Sequence, residues 1–121
     1  MVKPTNEGYL GNTLIKRAGV ETNYGEEELQ EYIKCSKDPA YFIESYTQII
    51  SLDEGMVPFK LRGYQEDLIN FYDANRFNVV LASRQSGKSI TSCAYLLWYL
   101  LFHPEVTVAV LANKGAIARE M

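Results

Sequence analysis

Three consecutive residues near the middle of the second half, Gly87-Lys88-Ser89, combine the side chains needed to hold a phosphate chain. A loop that grips a triphosphate must turn several backbone N–H groups toward one spot, and a residue without Cβ permits the closest approach. Gly87 supplies that approach. Lys88 is then placed to reach terminal phosphates with a mobile point charge, and Ser89 can offer its hydroxyl to Mg²⁺. The four preceding residues, Ser83-Arg84-Gln85-Ser86, complete a loop whose Arg84 carries a planar, permanently charged fork suited to phosphate oxygens as charge develops. In the general pattern, glycine also stands five positions before Gly87; here that place is Ala82.

Such a loop has to be held between a strand and a helix, and the flanking sequence predicts both. Phe77 to Ala82 is a short apolar run of the kind buried in a parallel sheet, and Ile90 to Phe102 is an apolar stretch interrupted by Thr91 and Ser92. The helix begins at the lysine, so its positive end faces the same anion. Val106 to Leu111 predicts a second strand, and a further helix starts from Ala116. Strand, loop, helix, strand and helix start form the opening of an α/β domain. Upstream, Leu61-Arg62-Gly63-Tyr64-Gln65 begins a helix predicted over 63–74, with Leu68, Ile69 and Tyr72 on its apolar face. The Gln65 amide could read an adenine edge as donor and acceptor together.

Two more helices are predicted earlier. Glu26-Glu27-Glu28 favours a helix start, with Leu29, Tyr32 and Ile33 at helical spacing until Asp38-Pro39. Pro39 then suits the first turn of a second helix, with Phe42, Ile43 and Tyr46 on one face. Ile49 to Glu54 resembles an apolar strand ending in a metal-binding Asp-Glu pair. It precedes the phosphate loop and is followed by Gly55, so the expectation is an acidic turn closing a helix, then a loop through Gly55 and Pro58. No catalytic acid is therefore assigned. Residues 1–25 read as a loosely ordered arm with one short helix around Leu14 to Arg17, 26–60 as a small helical subdomain, and 61–121 as an incomplete nucleotide-binding core.

The bulk properties fit one globular domain: 121 residues, 47% of them apolar and 12% aromatic. Cys35 and Cys93 show neither metal-ligand spacing nor the density of a secreted scaffold, which favours a reducing interior. The polar N-terminus does not resemble a signal peptide, and the longest apolar stretch is well short of the roughly 20 residues that span a bilayer. The net charge of −3 leaves no basic stripe for nucleic acid. His103, beside Pro104, suits a helix end.

These residues together resemble the large terminase subunit of tailed bacteriophages, in its T-even-like branch, the motor that packages DNA into proheads. The likeness runs through Leu14 to Ala18, Asp38 to Phe42, Leu61 to Gln65, Ser83 to Ser89 and Leu111 to Gly115. Members of that family also lack the first glycine, which accounts for Ala82. The resemblance implies the N-terminal portion of an ASCE-type P-loop NTPase, with ATP and Mg²⁺ as ligands. It implies that Tyr64 and Gln65 form an adenine-recognising Q motif and that Ser83, Arg84, Gln85, Ser86, Gly87, Lys88 and Ser89 hold the phosphates. Ser89 would also bind Mg²⁺, and Arg84 would act as a cis arginine finger. Asn113 and Lys114 match a segment tied to coupling or DNA contact.

The same resemblance implies double-stranded viral DNA, a small terminase subunit and the portal as partners, in the host cell cytoplasm and away from membranes. The family's Asp-Glu strand, coupling motif and nuclease domain have no counterpart in the 121 residues. In the family fold, the strands at 77–82 and 106–111 are separated by later strands, so both are expected to expose unpaired edges unless a second polypeptide completes the sheet. A P-loop helicase fragment and a non-hydrolysing nucleotide-binding or assembly module remain open as alternatives.

Overall fold

The computed structural model describes residues 8–12, 15, 18–19, 23–112 and 115–116. The short helix expected around Leu14 to Arg17 and the helix beyond Ala116 lie outside the described residues. Four helices and one hairpin follow in order: α1 (Glu26–Lys37), α2 (Pro39–Tyr46), β1 (Gln48–Ser51), β2 (Gly55–Pro58), α3 (Gly63–Ala74) and α4 (Lys88–Phe102).

Local chemistry sets the boundaries. Three glutamates occupy the first turn of α1, at the positive end of its dipole, and Lys34 and Lys37 occupy the last. The Gly25 N–H is capped by Glu28 Oε2 at 2.9 Å. Asp38 ends one helix and begins the next. Its N–H donates to the Lys34 carbonyl at 3.1 Å, while its Oδ1 accepts from Tyr41 N at 3.0 Å. Pro39 takes the first helical position, where its missing N–H costs nothing.

The segment expected as an acidic turn closing a helix, followed by a loop, is instead an antiparallel hairpin. Gln48 pairs with Pro58, Ile49 with Val57, Ile50 with Met56 and Ser51 with Gly55. Leu52-Asp53-Glu54 turns the chain, and Gly55, at φ +75°, takes the left-handed position that ends the turn. The β-branched pair Ile49-Ile50 found partners in Val57 and Met56, and the Asp-Glu pair sits exposed at the tip.

Helix α4 is the centre of the packing. Thr91, Ala94, Tyr95 and Trp98 recur at helical spacing and are buried. Ala94, Tyr95 and Trp98 join Ile43 of α2, Phe59 just after β2 and Ile69 of α3 in one cluster, so residues 26–60 and 61–102 share a core. The Trp98 indole N–H donates to the Cys35 carbonyl at 2.8 Å, satisfying one of the last carbonyls of α1. Between α2 and α3, Leu61 N donates to Glu44 Oε1 at 3.0 Å. His103 ends α4 as expected, its N–H and its Nδ1 both directed at the Tyr99 carbonyl.

The two apolar runs expected as parallel strands behave differently. Among the described residues the only sheet is the hairpin, and neither 77–82 nor 106–111 is paired in a ladder. Phe77, Val79 and Leu81 are 83%, 94% and 101% exposed. A strand exists only through its neighbours, and these runs have none in the described chain. Within the first run Asn78 Oδ1 is buried with no hydrogen-bond partner, an unusual condition for a folded interior. The face Leu29, Tyr32 and Ile33 of α1 also departs from expectation: all three are exposed, and Cys35 is the buried residue.

Two outcomes follow. Ile43→Ala and Ile69→Ala, both at fully buried positions, should each lower unfolding free energy in urea by about 2–5 kcal/mol. Burial and the neighbouring Asp73 carboxylate push Tyr95 up to about 12, and the bond to Glu31 raises Tyr46 to about 12. Because the folded values lie above the ordinary 10.0, their contribution is complete below pH 10 and is lost as pH rises through 12. Tyrosinate absorbance should show late ionisation coincident with loss of near-ultraviolet dichroism, and Tyr95→Phe should weaken that dependence.

Candidate nucleotide-binding site

The loop 83–87 leads directly into α4, and its backbone alternates in hand. Gln85 (φ 59°) and Gly87 (φ 75°) are left-handed, while Ser86 between them is not. Such alternation gathers successive N–H groups into a concavity suited to anions. Gly87 is the N-cap of α4, with no side-chain cap, and no acid occupies the first turn. The first turn of a helix has no internal acceptors for its N–H groups, so this end combines free donors with the positive pole of the dipole.

Side chains within the loop converge on one carbonyl. Ser86 Oγ donates to the Ser83 carbonyl at 3.0 Å, and Lys88 Nζ donates to the same oxygen at 3.1 Å. The lysine thus lies across the loop, with two further N–H bonds to offer. Ser89 is exposed at the second residue of the helix, and Arg84 is exposed with no hydrogen bond or ion pair among the described residues. The loop therefore presents a lysine, an arginine, hydroxyls and backbone donors together.

Tyr64 and Gln65 reach this loop from α3. The Tyr64 hydroxyl donates to the Ser86 carbonyl in a short hydrogen bond. Gln65 is 5% exposed, and both ends of its amide are occupied. Oε1 accepts from Arg62 N at 3.0 Å, capping α3, and Nε2 donates to Thr91 Oγ1 at 2.9 Å. A Cβ on Gly87 would meet Gln65 Nε2 at 2.8 Å. The close approach that demands glycine is thus made to the Gln65 amide, which in this arrangement braces the loop.

Thr91 completes the brace, a role that sequence reasoning missed. It is fully buried, and its hydroxyl donates to the Gly87 carbonyl at 2.9 Å while accepting from Gln65. One turn of side chain away, Ser92 Oγ bonds the Lys88 carbonyl at 2.8 Å and the Tyr72 hydroxyl at 2.9 Å. The available signal was the pair of hydroxyls interrupting an otherwise apolar helix just after the lysine.

Asn113 and Lys114 lie outside the described residues. No carboxylate hydrogen-bonds to the loop among the described residues, and these hold no group of three or more His, Cys, Asp or Glu arranged to bind a metal ion. None of the described helices is long and apolar enough to cross a membrane. No protein-family model matches the chain.

The brace makes a specific stability prediction. Thr91→Val, which removes the hydroxyl and leaves the Gln65 amide buried and unpaired, should cost about 1–3 kcal/mol in chemical unfolding. Gly87→Ala should cost more than the roughly 1–2 kcal/mol of a left-handed alanine, because the methyl also collides with that amide. In the double variant Gly87→Ala, Gln65→Ala the excess should be relieved.

Proposed function

We propose that the chain is the ATP-binding part of a phage terminase large subunit, belonging to an ASCE-type P-loop ATPase that drives viral DNA into proheads. The observation that carries the reading is the uncapped N-terminus of α4, preceded by a loop of alternating hand and opened by Lys88. Phosphate would be held by the loop Ser83 to Ser89, Lys88 supplying the point charge and Ser89 the Mg²⁺-facing hydroxyl. Bound Mg²⁺ would neutralise charge on the phosphate oxygens. Arg84, exposed on the same loop, is the group free to approach the terminal phosphate. Tyr64 and Gln65 would hold the loop in shape, and adenine contact by Gln65 would require release of at least one of its amide bonds.

In this reading the exposed runs 77–82 and 106–111 are strands of a parallel sheet that further chain or a second polypeptide completes. The working partners are double-stranded DNA, a small terminase subunit and the portal in the host cytoplasm. A second reading, a nucleotide-binding module that does not hydrolyse, is favoured by the absence of any carboxylate hydrogen-bonded to the loop among the described residues. Water attack needs a polarising base, and none is supplied there.

Calorimetric titration with Mg-ATP separates the possibilities. Saturable binding that weakens at least tenfold in Lys88→Ala is expected, with no turnover by the chain alone. Lack of binding would remove the phosphate-loop reading, and turnover lost in Lys88→Ala would show that the base is present after all.

A further inference from the structure

The exposed face of α1 is bordered by two adjoining grooves. One, of about 570 Å³, is lined by Tyr32, Cys35, Phe42, Tyr46 and Phe102, with Glu27, Glu28 and Glu31 along it. The other, of about 430 Å³, is lined by Tyr24, Glu28, Leu29 and Tyr32. Tyr32 and Glu28 border both, so the two form one continuous surface. Its aromatic walls are organised: Tyr32 and Phe102 centroids lie 5.2 Å apart, Phe42 stands edge-on to Phe102 at 5.4 Å, and Phe42 stacks with Tyr46 at 5.9 Å.

Three carboxylates line this surface: Glu27 and Glu28 in the first turn of α1 and Glu31 one turn on. Glu31 Oε1 accepts from the Tyr41 hydroxyl at 2.7 Å and the Tyr46 hydroxyl at 2.9 Å. These two bonds, first that from Tyr41, together with the charge of Lys34, hold its carboxyl below the ordinary carboxylate range. Lys34, the nearby base, sits instead over the Tyr41 ring, 3.5 Å from its centroid. Among the described residues no ion pair neutralises Glu27, Glu28 or Glu31. Aromatic faces beside carboxylates that form no ion pair among the described residues suit a guanidinium better than an ammonium, because the planar cation stacks on rings while its N–H fork meets carboxylate oxygens.

We infer that this groove along α1 is a docking site for an arginine-bearing apolar segment of another polypeptide, its arginines at Glu27, Glu28 and Glu31 and its apolar side chains over Tyr24, Leu29, Tyr32 and Tyr46. Charge complementarity favours a basic partner over a second copy of the chain, whose net charge is −3. Buried apolar contact supplies affinity and the carboxylates supply selection. The site is independent of nucleotide binding, since it lies on the α1 face and involves no residue of the phosphate loop.

The test uses the full chain and a fluorescent amphipathic leucine-arginine peptide, followed by anisotropy. A matched peptide with citrulline in place of arginine keeps the shape and removes the charge. The arginine peptide should bind at least tenfold more tightly than the citrulline peptide, and binding should weaken at least tenfold in Glu27→Gln, Glu28→Gln, which leaves Glu31 and its tyrosines intact. Tyr32→Ala should weaken both peptides' binding. Equal binding of the two peptides, no binding, or binding unaffected by Glu27→Gln, Glu28→Gln overturns the inference. Light scattering provides the other arm: a dimer of the chain that Tyr32→Ala dissolves would identify the occupant as a second copy and also overturn it.

Discussion

A hydrogen bond between two buried side chains, from the Gln65 amide to the Thr91 hydroxyl, fixes the relation between α3 and α4 and with it the shape of the loop at 83–87. Both groups are also engaged elsewhere. Gln65 also caps its own helix, and Thr91 also bonds the Gly87 carbonyl. Water cannot replace a partner at positions this buried, so the two helices keep one register or lose several bonds together. Glycine at position 87 is a consequence: the amide occupies the space that a methyl would need.

Around that node, α4 does most of the joining. Its buried face meets α2, α3 and the residue after the hairpin, and its tryptophan fastens the end of α1. The packing thus gathers on one face of α4, while Ile90, Leu97, Leu100 and Leu101 on its other side are exposed. What lies beyond α4 is poorly covered, as the exposures of Phe77, Val79, Leu81 and Leu111 indicate.

The helices were legible in the sequence because their signals are local. Asp38-Pro39 marks a stop and a start, and α3 and α4 begin where glycine or lysine follows a break in pattern. The hairpin at 48–58 was hidden by its acidic tip, which mimics a motif from elsewhere, and its pairing depends on a register no single residue announces. The strand-like runs were legible as composition, yet composition does not provide a neighbour. In α1 the apolar spacing of Leu29, Tyr32 and Ile33 was real, but burial depended on where α2 and α4 happened to lie. At the site, the lysine, serine and arginine could be read directly. The Gln65–Thr91 brace could not, because its partners are 26 positions apart.

The indole bond between Trp98 and Cys35 spans 63 positions, and that separation has a temporal side. A chain growing from its N-terminus makes α1 and α2 long before α4 exists. Ile43 can meet Phe59 and Ile69 as they emerge, but its α4 partners and the indole that bonds the Cys35 carbonyl come only with residues 94–98. Contacts of such sequence separation slow folding relative to the local ones, whereas each helix alone forms in microseconds or less. During synthesis the first half therefore exposes part of its apolar surface until α4 arrives to cover it.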